Sequence, residues 1–234
     1  LRTGELICLT MSHVQVATLL SLAFFCTYPT HRFVRATSAF NFDELFDLRT
    51  KRAVEKLCCI LHYFHHISKN MPSGIMKFRR QHADPLDWSN LSVPLSPLHV
   101  EVKGTIEDSE GMLHVDFANK FIGGGVLSFG CVQEEIRFLI CPELIVSMLF
   151  CQVMKANEAI VITNSIRFSD YVGYAHSFEW RPRTKIEKIN RDCSEIHSEL
   201  VAIDAFSFRN RSAQFQKKFV DRELLKYHLL EFQF

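Results

Sequence analysis

The stretch that decides the fold of this chain is Gly123-Gly124-Gly125-Val126-Leu127-Ser128-Phe129-Gly130-Cys131-Val132-Gln133-Glu134-Glu135. Three consecutive glycines let the backbone adopt positive φ values and approach a ligand closely, because no Cβ stands in the way. The Gln-Glu-Glu run opens an amphipathic helix, and the helix dipole favours acidic side chains in a first turn. The same turn directs unpaired N–H groups outward, which suits an anionic or polyhydroxyl ligand. The stretch therefore predicts a ligand-binding glycine loop that leads into a helix with two carboxylates at its start.

The composition of the chain is that of an ordinary globular protein. Of its 234 residues, 47% are hydrophobic and 23% are charged, and the formal net charge is +1. This length allows one large domain, or a domain with a helical appendage. The near-zero charge argues against a basic surface for non-specific nucleic-acid binding, and the apolar run from Leu19 to Cys26 is too short to span a membrane. We therefore expect neither direct nucleic-acid binding nor membrane insertion, and the sequence leaves the oligomeric state open.

The eight cysteines contain no Cys-x-x-Cys pair and no zinc-ribbon spacing, and several lie in apolar periodic runs. This usage favours a reducing compartment, nuclear and/or cytoplasmic. One helical stretch does collect several residues that could bind a metal, namely Cys58, Cys59, His62, His65 and His66. Pairs spaced i, i+4 would still need two further ligands, and nothing in the sequence nominates them. A helix with some exposed histidines is the preferred interpretation.

Periodicity divides the chain into two regions. Residues 1–97 form a predicted N-terminal helical accessory region, which contains a short strand and ends in a proline-rich loop; its helices are expected at Ser12–Phe25, Asn41–Phe46 and Arg52–Lys69. Residues 98–234 have strands expected at Leu98–Lys103, Leu113–Phe117, Ala159–Thr163, Tyr171–Trp180 and Glu199–Ala205. Strands that alternate with helices indicate an α/β layered domain.

The sequence Val115-Asp116-Phe117-Ala118-Asn119, followed by the triple glycine, seven residues and Gln-Glu-Glu, resembles the signature of the poly(ADP-ribose) glycohydrolase family. The similarity extends from about Ser12 through Phe208. It implies an α/β fold in which a macrodomain-like mixed sheet is flanked by helices, with an N-terminal helical extension. Residues 98–234 would be the macrodomain-like catalytic region. Family members continue with a second glycine-rich loop, whereas the last glycine here is Gly173, so we expect the C-terminal part of the domain to be missing.

Helix geometry and the resemblance together suggest roles for the two glutamates. Neighbours on a helix diverge by roughly 100°, so Glu134 and Glu135 cannot act on one atom from the same direction. One of them should transfer the proton while the other holds the substrate. The resemblance implies that Glu135 is the general acid, which then activates water, and that Glu134 positions ribose hydroxyls.

The resemblance also implies a set of substrate-binding residues. Glu107 would contact adenine, Tyr171 and Tyr174 would line the adenosine and diphosphate pocket, and no metal or cofactor is implied. The complete set is Asp116, Asn119, Gly123, Gly124, Gly125, Gln133, Glu107, Tyr171 and Tyr174.

Three functional hypotheses follow. The first is an enzyme that hydrolyses ribose–ribose O-glycosidic bonds of poly(ADP-ribose), with that polymer and ADP-ribosylated proteins as its partners. The second is a truncated ADP-ribose-binding module that is catalytically weak or inactive. The third is a truncated product with no function of its own.

Overall fold

The computed structural model describes residues 1–29, 40–88, 92, 94, 97–109, 111–186 and 199–231. The strands are β1 (Ile7–Ser12), β2 (Ile75–His82), β3 (Leu113–Ala118), β4 (Glu158–Thr163), β5 (Ser169–Val172), β6 (Glu179–Pro182) and β7 (Glu199–Asp204). The helices are α1 (His13–Phe24), α2 (Asp43–Asp47), α3 (Lys51–Lys69), α4 (Gln133–Ile140), α5 (Ser147–Phe150) and α6 (Lys217–Glu231). Short 3₁₀ turns lie at Ile106–Asp108, Pro142–Val146, Ala175–Ser177 and Arg211–Phe215.

The main sheet has five strands in the order β1-β2-β4-β7-β3. The β1–β2, β2–β4 and β4–β7 pairs are antiparallel, whereas β3 and β7 are parallel, with Asp116 opposite Ala202. Strands β5 and β6 form a separate antiparallel hairpin. The predicted α/β class, a mixed sheet flanked by helices, is confirmed.

Strand β4 lies at the centre of the sheet and is buried along its whole length. Ile160 and Ile162 belong to the larger core cluster, to which α1, α3 and α4 contribute. Ala159 and Val161 belong to a second cluster that contains Leu229 of α6. Because successive side chains of a strand point to opposite faces, helices cover both faces of this strand. The continuous apolar run Ala159–Thr163 is typical of a strand that is covered on both faces, and this prediction is confirmed.

Helix α1 begins where its capping residue predicts. The Ser12 hydroxyl oxygen accepts from the N–H of Gln15 at 3.2 Å, and the Gln15 side-chain oxygen accepts from the Ser12 N–H at 2.9 Å. This reciprocal pair satisfies two N–H groups that a helix start leaves unpaired.

Helix α3 is predicted correctly, but its buried face is not. The apolar spacing of the sequence predicts a face formed by Val54, Leu57, Cys58, Leu61 and Phe64. In the structure, however, Val54 is 57% exposed and Leu61 is 52% exposed. The buried side chains are instead Ala53, Lys56, Cys59, Ile60, Tyr63 and Ile67. This set has the i, i+3, i+4 spacing of a helix face, and it includes a lysine where an apolar residue was expected.

Two expected strands differ in the structure. Leu98–Lys103 forms no strand, and Leu98 and Val102 are 88% and 87% exposed. Alternating side chains need a partner strand and a core, and this segment has neither among the described residues. Tyr171–Trp180 is two strands, because Gly173 at φ +75° and Ala175 at φ +52° turn the chain.

The sheet crosses the boundary that the sequence suggested at residue 97. Strands β1 and β2 come from the N-terminal region and pair through β2 with β4; β1 was not predicted. Two buried side-chain contacts also cross the boundary, namely a hydrogen bond between His13 Nδ1 and Glu143 Oε1 at 2.7 Å and an ion pair between Arg80 and Glu158 at 2.7 Å. The division into two domains remains a prediction. In the part of the chain that is described, no helix is both long and apolar enough to cross a bilayer.

Candidate active site

The glycine loop and the start of α4 are folded against each other. Gly123 and Gly124 have φ values of +89° and +50°, in the region that favours glycine. A Cβ placed on Gly124 would lie 2.4 Å from Oε1 of Glu135 and 2.6 Å from Oε2 of Glu134. The absence of a Cβ at Gly124 therefore lets the loop approach the carboxylates of Glu134 and Glu135, where the sequence predicts an approach to a ligand.

Each glutamate carboxylate is held by two backbone N–H groups. Glu134 accepts from Asn119 at 2.9 Å and from Gly123 at 2.6 Å. Glu135 accepts from Gly125 at 2.9 Å and from Val132, at the start of the helix, at 2.8 Å. The exposed fractions are 3% for Glu134 and 6% for Glu135. The carboxylates thus diverge onto different N–H pairs, and the loop fixes the orientation of both.

Gln133 connects the helix to the last strand of the sheet. Its side-chain oxygen accepts from the N–H of Phe117 at 2.9 Å, and its side-chain nitrogen donates to the carbonyl of Val115 at 3.0 Å. The backbone N–H of Gln133 donates to the Tyr174 hydroxyl at 3.0 Å. Its amide therefore bonds to β3, while Tyr174, 52% exposed, is brought to the start of α4.

Asp116 lies inside β3 and is 0% exposed. Neither of its carboxylate oxygens has a hydrogen-bond partner among the described residues. Burial raises the pKa of Asp116, and the charge of Arg137 opposes this shift. Burial, and then the charge of Asp116, raise the pKa of Glu134, while the N–H groups of Asn119 and Gly123 oppose that rise. Two neighbouring buried carboxyls do not both ionise readily, so the pair retains at least one proton at neutral pH. We assign it to Asp116, which receives no N–H bond.

Glu107 and Tyr171 form a second group. The Tyr171 hydroxyl donates to Oε1 of Glu107 at 3.3 Å, and burial, with the charge of Glu107, raises the pKa of Tyr171 to about 12. Arg167 donates to the Glu107 carbonyl at 3.4 Å and pairs with Asp108 at 3.0 Å. Among the described residues no hydrogen bond joins Glu107 or Tyr171 to the glycine loop or α4, so the predicted site residues fall into two clusters.

Sequence reasoning missed Lys56 and Arg137. Lys56, on α3, is 0% exposed and donates to the carbonyls of Gly125, Val126 and Ser128 at 3.2, 2.9 and 2.8 Å. Burial lowers the pKa of Lys56 to about 8. Arg137 is 4% exposed and lies two residues after Glu135 on α4. The only signal for Lys56 is its place in the spacing of the buried α3 face.

The described residues contain no group of three or more His, Cys, Asp or Glu side chains that could hold a metal ion. Cys58, Cys59 and the histidines of α3 therefore form no such group with one another.

A family comparison assigns residues 85–230 of this chain to the macro-domain class of proteins. The family model described as poly(ADP-ribose) glycohydrolase, Macro domain fold, matches residues 85–230, and the model for the helical domain of the same enzyme matches residues 1–80. The chain belongs to the poly(ADP-ribose) glycohydrolase family.

Individual relatives agree with this assignment. Poly(ADP-ribose) glycohydrolase 1 of Arabidopsis thaliana is 41% identical over 204 residues, which are 83% of this chain and 37% of that protein. Poly(ADP-ribose) glycohydrolase 1 of Caenorhabditis elegans is 36% identical over 240 residues, covering 95% of this chain and 30% of that protein. The chain thus spans about a third of the length of these curated relatives.

Proposed function

We propose that this chain carries the poly(ADP-ribose) glycohydrolase reaction, the hydrolysis of ribose–ribose O-glycosidic bonds that releases ADP-ribose. The observation that supports this most is the pair of carboxylates held on backbone N–H groups of the glycine loop, in a chain whose family model spans residues 85–230. In this proposal the glycine loop and the start of α4 border the ligand, and the two carboxylates that they orient face its ribose.

Glu135 is the proposed acid and base. Its carboxyl group gives a proton to the bridging oxygen as the bond between that oxygen and the anomeric carbon breaks. The resulting carboxylate takes a proton from the water that attacks the ribosyl cation. Each carboxylate oxygen has more than one lone pair, so the bonds from Gly125 and Val132 orient the group without using all of its capacity. General acid–base help of this kind contributes about 10²- to 10⁴-fold.

Glu134 is the proposed anchor for ribose hydroxyls. It lies against Gly124 together with Glu135, and negative charge near the reacting centre stabilises an oxocarbenium-like transition state. Asn119, the glycines and Tyr174 are proposed to line the ribose and diphosphate portions of the ligand, and Glu107 with Tyr171 the adenosine portion. Asp116, which is fully buried, acts in this proposal through Glu134.

The proposed partners are poly(ADP-ribose) and ADP-ribosylated proteins, without direct nucleic-acid binding. The proposed location is the nucleus and/or the cytoplasm. A reducing compartment is supported by the cysteines, since all seven that lie in the described residues are free thiols.

The test is release of ADP-ribose from purified polymer by the wild-type chain and by Glu135→Gln. We expect the substitution to lower kcat by at least about 100-fold while ADP-ribose binding, measured by calorimetry, persists. Glu101→Gln is the matched control, since this side chain is 66% exposed. An active chain whose rate is unchanged by Glu135→Gln would contradict the assignment of Glu135.

The same measurements decide the second candidate, an ADP-ribose-binding module without turnover. Binding of ADP-ribose without release from polymer would favour the module over the enzyme.

A further inference from the structure

Lys56 is a buried cation that none of the chemistry above uses. It extends from α3 into the centre of the glycine loop, where its ammonium group has three carbonyl acceptors, those of Gly125, Val126 and Ser128. An ammonium has three N–H donors, so donors and acceptors match in number. Such a match removes the main penalty of burying a charged group.

The bonding of Gly125 links Lys56 to Glu135. The carbonyl of Gly125 accepts from Lys56 at 3.2 Å, and also from the N–H groups of Ser128 at 2.9 Å and Gly130 at 3.0 Å. The N–H of the same residue donates to Oε1 of Glu135 at 2.9 Å. Glycine has the widest backbone freedom of all residues, so these bonds help to fix the direction of that N–H.

We propose that Lys56 is a positioning residue of the candidate active site, whose ammonium group holds the glycine loop so that the Gly125 N–H stays directed at the Glu135 carboxylate. Through it, helix α3 of the N-terminal region sets the geometry of the catalytic group. Lys56 is fully buried and acts only through the loop. Its effect on turnover rests on the proposed function; its effect on the loop does not.

The protonation of Lys56 gives the proposal a pH dependence. Burial lowers the pKa of Lys56 to about 8. The neighbouring Cys131, Glu135 and Cys59 oppose this decrease, whereas the positive charge of Arg52 adds to it. Below that pH the ammonium serves all three carbonyls. Above it the neutral amine has two donors and turns a lone pair toward an acceptor, so the loop should loosen as the pH rises through about 8.

The test measures backbone amide hydrogen exchange at Gly123, Gly125 and Val132 in the wild type, Lys56→Met and Lys56→Gln. Methionine keeps an unbranched chain without donors, whereas glutamine keeps two N–H donors. We expect Lys56→Met to speed exchange at these amides by about tenfold or more relative to the core strand β4, and Lys56→Gln to restore part of the protection. Lys69→Met, exposed on the same helix, should change nothing.

Turnover provides the second readout. A displacement of about 1 Å can cost about 10²-fold in rate, so Lys56→Met should lower kcat by about 10- to 100-fold with KM within about threefold. In the wild type, kcat and loop protection should both decline as the pH passes about 8, and the decline in protection should be absent in Lys56→Met.

The proposal would be overturned if Lys56→Met changed the exchange rates of the loop amides no more than those of β4. An unchanged kcat of Lys56→Met in an active enzyme would overturn it as well. If Lys56→Met does not fold, Lys56→Gln and the pH dependence of wild-type exchange still decide it. If the wild type does not hydrolyse polymer, the proposed function fails while the exchange measurements continue to test Lys56.

Discussion

At the scale of single residues, Gly124 is in close contact with the carboxylates of both Glu134 and Glu135. A side chain there would meet oxygens of both glutamates within 2.6 Å and would need a φ of +50° that L residues rarely adopt. We expect Gly124→Ala to lower the free energy of unfolding by about 1–3 kcal/mol and polymer hydrolysis by at least about tenfold. Denaturant unfolding and a rate assay measure these effects.

Gly111 is the matched control for this substitution. It has a φ of +71° with no atom within 4 Å of its Cβ position, so Gly111→Ala carries the backbone strain without the collision. Equal losses of stability and rate in the two variants would show that the contact with the carboxylates is unimportant.

Asp116 gives stability a characteristic pH dependence. Burial raises its pKa in the folded state, whereas an unfolded aspartate titrates near about 4. Above the pKa of the unfolded aspartate, the folded state therefore binds more protons than the unfolded state. The stability that the protonated Asp116 contributes is lost as the pH rises through its folded-state pKa.

Asp116→Asn removes this titration. The free energy of unfolding of the variant should therefore decline less steeply between pH 5 and 8 than that of the wild type, by up to about 1.4 kcal/mol per pH unit. Denaturant titrations at several pH values measure the slope. Asp221→Asn, at a half-exposed side chain, should keep the wild-type slope. An unchanged slope in Asp116→Asn would contradict the assignment of the proton to Asp116.

At the scale of elements, helix α3 has two neighbouring aliphatic residues of which one is buried and the other is exposed. Ile60 is 0% exposed and Leu61 is 52% exposed. Ile60→Ala should cost about 2–5 kcal/mol of unfolding free energy because it leaves a cavity, whereas Leu61→Ala should cost less than about 1 kcal/mol. Thermal or denaturant unfolding of both variants tests which face of α3 packs on the core. A larger loss of stability in Leu61→Ala would support the face that the apolar spacing predicted.

Local sequence patterns predicted the helices and strands around the site. They failed where the structure of a segment depends on contacts with residues far away in the sequence. Strands β3, β4 and β7 and helix α4 follow from periodicity, whereas β1 is an edge strand with a half-exposed pattern. Leu98–Lys103 has the alternation of a strand but no partner. The spacing of α3 places Lys56 on the buried face, but its partners are carbonyls that lie 69 to 72 residues further along the chain, and no local pattern identifies them. The glutamates and their loop, by contrast, are close in sequence.

At the scale of the whole molecule, one sheet contains strands from both predicted regions. β2 pairs with β4, and the buried Arg80–Glu158 contact crosses the boundary. We expect a single unfolding transition. The chain has two tryptophans: Trp88 lies 6.0 Å from Tyr227 of α6, and Trp180 lies 5.4 Å from His62 of α3, between ring centroids.

Single-tryptophan variants make this testable. Fluorescence-detected denaturation of Trp88→Phe reports the surroundings of Trp180, and Trp180→Phe reports those of Trp88. Each transition should coincide with the circular dichroism transition of the same variant. A fluorescence midpoint that departs from it would instead indicate two separately folding units.

The bonds that Gln133 makes to β3 have a consequence for solubility. An open strand margin is a template on which further copies of a chain can polymerise. Here one amide side chain occupies the Phe117 N–H and the Val115 carbonyl of the outermost strand. Gln133 therefore protects this edge strand from pairing with other copies of the chain. We expect the loss of its side chain to promote aggregation independently of any effect on catalysis.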